Sequence, residues 1–177
     1  MKKTGTTVEY RAIRDADLDE LCRMATGVWR THYAAIISME QINYMLARQY
    51  TPEQLKRDMA AKSIRFAGAF ADGKMVGFAG FGPEPGVPEW KLHKLYIMPE
   101  FQRRGIGQRL MRDAADTAAA HGANFLVLNV NKRNTQALAA YRKFGFGRRT
   151  SVKVDIGGGF VMDDDVLEYD LRKEKKL

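Results

Sequence analysis

The chain has 177 residues, 45% hydrophobic and 28% charged, which suits one globular domain with a real core. No stretch approaches a membrane span, residues 1–10 carry two lysines with no apolar run behind them, and the single cysteine, Cys22, can form no internal disulfide, so the expected setting is cytoplasmic. Twenty-nine Lys and Arg against 21 Asp and Glu give a formal charge of +8, which favours nucleic acid, a membrane surface or an anionic cofactor without choosing among them.

Residues 7–14 alternate apolar and polar positions through Val8, Tyr10 and Ala12 and read as a strand. Asp15 is expected to cap a helix with the apolar stripe Leu18, Leu21, Cys22, Ala25, Val28 and Trp29, ending near Arg30. On that stripe Cys22 reads as core rather than nucleophile. Residues 31–37 read as a linker. Ser38-x-x-Gln41 is a capping box for a helix carrying Ile42, Met45 and Leu46, and Thr51-Pro52 opens another. Residues 64–71 and 74–81 are strands joined by Asp72-Gly73, a hairpin signal. A Pro- and Gly-rich loop spans 82–88. The central strand then carries Leu92, Leu95, Tyr96 and Ile97 and stops at Met98-Pro99. Ile106, Leu110 and Met111 recur at helical spacing from Gly105 to a close at His121-Gly122. Residues 125–130 form a continuous apolar run, as in a strand buried on both faces. Asn134 opens a shorter helix with Ala137, Leu138 and Tyr141, ended by Gly145. Strands at 148–156 and 160–171 flank the glycines 157–159, and 173–177 reads as a frayed basic tail. Periodicity alone gives a single mixed α/β domain spanning 1–177.

The loop between central strand and helix, Gln102-Arg103-Arg104-Gly105-Ile106-Gly107, has the makings of an anion site. Glycines let backbone approach a ligand, the first-turn N–H groups of a helix are unpaired, and arginines add charge-assisted contacts. It fits neither G-x-G-x-x-G nor G-x-x-x-x-G-K-[ST]. It does resemble the Q/R-x-x-G-x-G/A loop of the GCN5-related N-acetyltransferase (GNAT) family. Asn134 to Phe146 is similar to that family's N-x-x-A-x-x-x-Y-x-x-x-G-F segment. The resemblance runs over nearly the whole chain and implies a mostly antiparallel mixed sheet, splayed at the cofactor site and flanked by helices. It further implies acetyl-CoA as co-substrate, its pyrophosphate on Gln102, Arg103, Arg104, Gly105, Ile106, Gly107 and Gln108, and its pantetheine arm along backbone at Leu95, Tyr96 and Ile97 and beside Asn134. Tyr141 would stand at the thioester sulfur as general acid, a role amine attack on a thioester needs because a thiolate is expelled. The bland reading of Tyr141 is a core residue beside Ala137, Leu138 and Phe144.

A base must take the acceptor's proton. Many members of the family carry a glutamate where this chain has Lys91, so the usual base is missing. His93 lies two residues on, which a strand's period of two places on the face of Lys91 and Leu95, and its ordinary pKa of about 6.5 suits the task. Glu89 and Tyr33 are further candidates. No His, Cys and Asp cluster suggests a metal. The acceptor would be read by Trp29, Tyr33 and the segment 157–165, where Asp163, Asp164 and Asp165 make either an anionic patch or a solvated hairpin end. The combination of LHKLYI (92–97), FQRRGIG (101–107) and DIGGGFVMDDD (155–165) resembles bacterial spermidine/spermine N-acetyltransferases, so the implied acceptor is a small amine or polyamine, and the family resemblance is compatible with a homodimer. The alternatives are a protein N-terminal or lysine acetyltransferase, an idle acyl-CoA-binding regulator, and a nucleic-acid module, against which the scattered basic residues argue.

Overall fold

The computed structural model describes residues 7–176, with side chains through Lys173; the reading of residues 1–6 lies outside it. One seven-stranded sheet runs β1-β2-β3-β4-β5-β7-β6, composed of β1 (Val8–Ala12), β2 (Arg65–Ala71), β3 (Lys74–Pro83), β4 (Glu89–Ile97), β5 (Phe125–Asn131), β6 (Gly147–Gly157) and β7 (Phe160–Asp170). All neighbours are antiparallel except β4 and β5, which are parallel and paired only from Glu89↔Phe125 to Lys91↔Val127. Past Lys91 the two strands part, as the expected splayed, mixed sheet requires.

Five helices cover the two faces. On one side lie α1 (Leu18–His32), α2 (Met39–Gln49) and α3 (Pro52–Lys62), where Leu18, Leu21, Trp29, Ile42 and Leu55 pack on Phe66, Phe70 and Phe78. On the other lie α4 (Ile106–Ala120) and α5 (Thr135–Phe144); Ile106, Leu110, Met111 and Leu138 pack on Val76, Phe81, Trp90 and Leu92. Each buried aliphatic or aromatic side chain contributes about 1.5–3 kcal/mol of transfer free energy, which holds both layers to the sheet. Gly77 permits the α4 contact: a Cβ there would meet Ile97 Cδ1 at 2.8 Å and Ile106 Cγ2 at 3.3 Å.

Four expectations change. Asp15 lies in a 3-10 turn (Asp15–Asp17) ahead of α1, and the carboxylate that organises this entry is Asp17, which accepts from Arg14 N at 2.8 Å and pairs with Arg11 at 2.8 Å. These bonds hold its pKa well below the usual carboxylate range. The supposed linker belongs partly to α1, which runs on to His32 and is followed by a 3-10 turn at Tyr33–Ala35. The expected tail at 173–177 enters a 3-10 helix, Leu171–Lys176, and Leu177 lies outside the described residues. Finally, β4 carries a bulge: Gly80 faces Lys94 and Phe81 faces Leu92, leaving His93 without a partner. The extra residue switches the faces, so Trp90 and Leu92 before it, but Leu95 and Ile97 after it, pack with the α4 layer. His93 therefore does not share a face with Leu95. Among the described residues no helix is long and apolar enough to cross a membrane.

Candidate active site

Where β4 and β5 separate, a cleft of about 920 Å³ opens, lined by Leu95, Tyr96 and Ile97 of β4, the start of α4, and Asn134 to Tyr141 on α5. The turn into α4 is made by two left-handed residues, Arg103 (φ 60°) and Gly105 (φ 81°), the second being the residue before the helix. The first helical bond runs from Arg109 N to Gly105 O at 3.0 Å. The N–H groups of Ile106, Gly107 and Gln108 therefore precede the ladder and face the cleft's end, with the helix dipole behind them. Arg103 and Lys143 line this cleft and, among the described residues, no carboxylate does, which is the electrostatics of a site for an anion of cofactor size. Lys143 went unnoticed in the sequence because a basic residue late in a helix reads as solvated.

Within this cleft the expected residues divide into those that line it and those that brace it. Gln102 is a strut: its amide donates to Ile97 O at 3.2 Å and accepts from Gln136 at 2.7 Å, tying β4 to α5. Gln108 braces the opposite side, donating to Ala140 O at 3.2 Å. Arg104, also expected at the pyrophosphate, has its guanidinium over the Phe101 ring at 4.9 Å and lies outside this lining. Asn134, only 4% exposed, caps α5 by accepting from Ala137 N at 3.2 Å, lies 3.1 Å from His32 Nε2, and donates to Tyr33 Oη at 3.5 Å. Tyr141 packs edge-on to Phe146 at 5.8 Å, and burial pushes its phenol pKa up, so it stays protonated.

A second cleft, of about 440 Å³, opens on the α1–α3 side. Tyr33, Leu95, Tyr96, Asn134 and Tyr141 line both, so the two spaces meet at this group. Trp29, 3% exposed, stacks on Tyr33 at 4.3 Å and forms part of the aromatic wall with Tyr50 and Tyr96. The turn that follows Tyr33 is held by Arg133, which donates to Ile36 O at 2.6 Å and Ala35 O at 3.3 Å. Of the acidic run, only Asp164 faces this cleft. Asp163 pairs with Lys132, and Asp165 accepts from Ser151 at 2.7 Å and Arg148 at 3.0 Å, because the three lie on a strand and alternate sides. The anionic patch is therefore a single carboxyl. Asp164 is 7% exposed, its Oδ1 has no hydrogen-bond partner, and burial followed by the Asp163 charge raises its pKa.

His93 and Lys91 also line the second cleft. Burial, Lys91, Lys94 and Lys62 push the His93 pKa down to about 4, so it is neutral at physiological pH and a much weaker base than an ordinary imidazole. Glu89, the other carboxylate weighed as a base, is absent from both linings and is bonded instead to Arg149 at 2.8 and 3.1 Å. The residue that alternation hid is Lys94. It is 7% exposed, its ammonium lies 4.3 Å above the Tyr50 ring, and burial lowers its pKa to about 8. Cys22 is half-buried, and burial raises its thiol to about 11, which disqualifies it as a nucleophile. Among the described residues no cluster of His, Cys, Asp and Glu could hold a metal.

Comparison with known proteins agrees with this geometry. Residues 29–146 match the model of the acetyltransferase (GNAT) family. The chain is 29% identical, over 89% of its length and 96% of the relative's, to the spermidine N(1)-acetyltransferase of Thermoplasma acidophilum. It is 35% identical over 56% of its length and 62% of the relative's to the N-alpha-acetyltransferase RimI of Mycobacterium tuberculosis. Among solved structures, the PaiA N-acetyltransferase of Thermoplasma acidophilum in complex with coenzyme A superposes with a TM-score of 0.78, at 28% identity, over 93% of this chain and 99% of that one. With the strand parting, the glycine turn and the paired clefts already in place, the chain belongs to the acetyltransferase (GNAT) family.

Proposed function

We propose that the protein transfers an acetyl group from acetyl-CoA directly to a primary amine, both substrates being bound at once. The observation that carries this reading is the meeting of two clefts at Tyr33, Asn134 and Tyr141, the first with basic side chains at the glycine turn and the second holding the buried carboxyl of Asp164. In the first, the N–H groups of Ile106, Gly107 and Gln108 and the side chain of Arg103 receive the pyrophosphate, and the unpaired edge of β4 at Leu95–Ile97 receives the amides of the pantetheine arm. The fit rests on the free first-turn N–H groups and, among the described residues, the lack of a lining carboxylate.

In the second cleft Asp164 receives the acceptor's amine and takes the proton it sheds, a role suited to a buried carboxyl of raised pKa. It takes over the part first given to His93, whose imidazole has been driven down to about 4 and carries no negative charge to hold an ammonium. The amine nitrogen bonds to the thioester carbonyl carbon, the carbon–sulfur bond breaks, and the Tyr141 hydroxyl hydrogen-bonds and protonates the departing sulfur. Backbone N–H groups on the β4 edge stabilise the developing oxyanion. Release of free thiol from acetyl-CoA, measured against a panel of polyamines, amino acids, aminoglycosides and peptides, tests the reading. Amine-dependent thiol release with an acetylated product is expected; tight CoA binding without release under any acceptor would instead make the chain an acyl-CoA-binding regulator. Spermidine and an N-terminal peptide belong in the panel because the Thermoplasma and Mycobacterium relatives are named for those acceptors.

A further inference from the structure

The acceptor cleft has the wrong charge for a polycation. Arg48, Lys62, Lys91 and Lys94 line it against two carboxylates, Asp58 and Asp164. Asp58 is already engaged, by Lys62 at 3.2 Å and by the Gln54 amide at 3.0 Å. Arg48 lies over the Tyr44 ring at 5.2 Å. Lys94 is the outlier: it is nine-tenths buried, and among the described residues its ammonium has an aromatic ring beneath it and no carboxylate within ion-pair distance. Asp58 acts on it only from beyond ion-pair distance; a buried ammonium with no direct carboxylate partner is costly, and a site that keeps one is built to receive an anion from outside. At the other side of the same cleft Asp164 is the mirror case, a buried carboxyl with an orphan oxygen. A di- or tricationic acceptor would satisfy Asp164 and add like charges beside Lys91 and Lys94.

Resting on the acetyl-transfer reading above, we propose that the acceptor is a small amino carboxylic acid, its amine seated at Asp164 and its carboxylate at Lys94. Asp164 then positions the nucleophile, and Lys94 selects molecules that carry an anion. The transfer forms the amide bond and releases free thiol, with one proton leaving by way of Asp164, and the carboxylate is unchanged throughout.

The test uses matched pairs: lysine with cadaverine, ornithine with putrescine, arginine with agmatine, and phenylalanine with phenethylamine, each amine being the amino acid without its carboxylate. Each is titrated calorimetrically into protein saturated with CoA, which reads the cleft without turnover. The expected result is that the amino acid of a pair binds about 10- to 100-fold more tightly than its amine, the range of a charge-assisted hydrogen bond in a desolvated site. Both Lys94→Met and Lys94→Gln should abolish that preference while leaving CoA affinity unchanged; two variants guard against one failing to fold. Equal or tighter binding of the amines, tightest binding of spermidine, or no binding of any amino acid would overturn the proposal. Thiol release separates it from the reading beneath it. Acetylation of amines with no carboxylate preference would leave the transfer reading standing and this one refuted, whereas Lys94-dependent binding of amino acids with no thiol released by any acceptor would do the reverse.

Discussion

Tyr141, partly buried where the two clefts meet, and Lys94, buried in the wall of the second, show opposite uses of burial. For the phenol it keeps the proton on, so the hydroxyl is present as a donor across the physiological range. Tyr141→Phe retains the ring against Phe146 and removes only the donor, so kcat should fall by about 10- to 10⁴-fold with CoA affinity unaltered; an unchanged kcat with chemistry rate-limiting would return Tyr141 to a packing role. For Lys94 the cost is borne by the fold. Its pKa is lowered from 10.5 to about 8 by burial first, with Lys62 beside it lowering it further and Asp58 and Cys22 opposing. The unfolded chain thus binds more protons than the folded one between about pH 8 and 10.5, so stability rises with pH across that window and the penalty is full at pH 7. It is on the order of 3 kcal/mol. Lys94→Met should therefore denature at higher urea than wild type at pH 7, and the gap should narrow by pH 10. A variant no more stable than wild type at pH 7 would contradict the account. A residue whose removal stabilises the protein is the kind retained for function.

At the level of elements, the glycine turn borders the first cleft and the β6–β7 hairpin the second. Gly107 has an ordinary helical conformation, and a Cβ there would meet nothing closer than Ile97 Cγ1 at 3.8 Å. Gly107→Ala should accordingly leave the fold intact, and even stabilise α4 by about 0.5–1 kcal/mol, while weakening CoA by putting a methyl where backbone meets pyrophosphate. Thermal melts and calorimetry on the same variant separate the two effects; CoA affinity equal to wild type would move the pyrophosphate elsewhere. The hairpin is fastened to α2 by Tyr44, which donates to Ile156 O at 2.9 Å, and by Gln41, which donates to Val161 O at 3.2 Å. Gly157, at φ 86°, sits so close that a Cβ would fall 2.5 Å from Tyr44 Oη. Much of this was legible in the sequence: the turn through its glycines, the short helix through its Asn134 cap, the hairpin through residues 157–159. What alternation could not show is a bulge. His93 is the bulge residue of β4, and the face switch it causes is what brought Lys94 to the acceptor side and packed Leu95 with the α4 layer.

Across the whole molecule the same limit recurs, because the halves of the sheet meet through only three parallel residue pairs. Local patterns report each half and say nothing about what clamps them. Composition and charge pointed to an anionic partner for the molecule as a whole, yet the acceptor cleft's own charge depends on which side of β7 each aspartate faces, a tertiary fact. The clamp itself is Arg149, which also falls at a bulge, between Arg148 and Thr150. Its side chain crosses the Phe125 ring at 5.3 Å, bonds Glu89 of β4 at 2.8 and 3.1 Å, and pairs with Glu168 of β7. Exposed ion pairs are worth little, but a two-pronged guanidinium joining two carboxylates over a ring escapes most of that discount. Arg149→Met keeps the apolar stem over Phe125 and leaves Glu89 and Glu168 facing each other unpaired. Loss of roughly 1–2 kcal/mol is expected in chemical denaturation. Because both clefts open along the parting that begins just past the paired segment Arg149 clamps, CoA and acceptor affinities should weaken together, whereas Gly107→Ala should weaken CoA alone and Lys94→Met acceptor binding alone. If Arg149→Met unfolds at the wild-type midpoint, or weakens one ligand and spares the other, the parting is held by core packing alone.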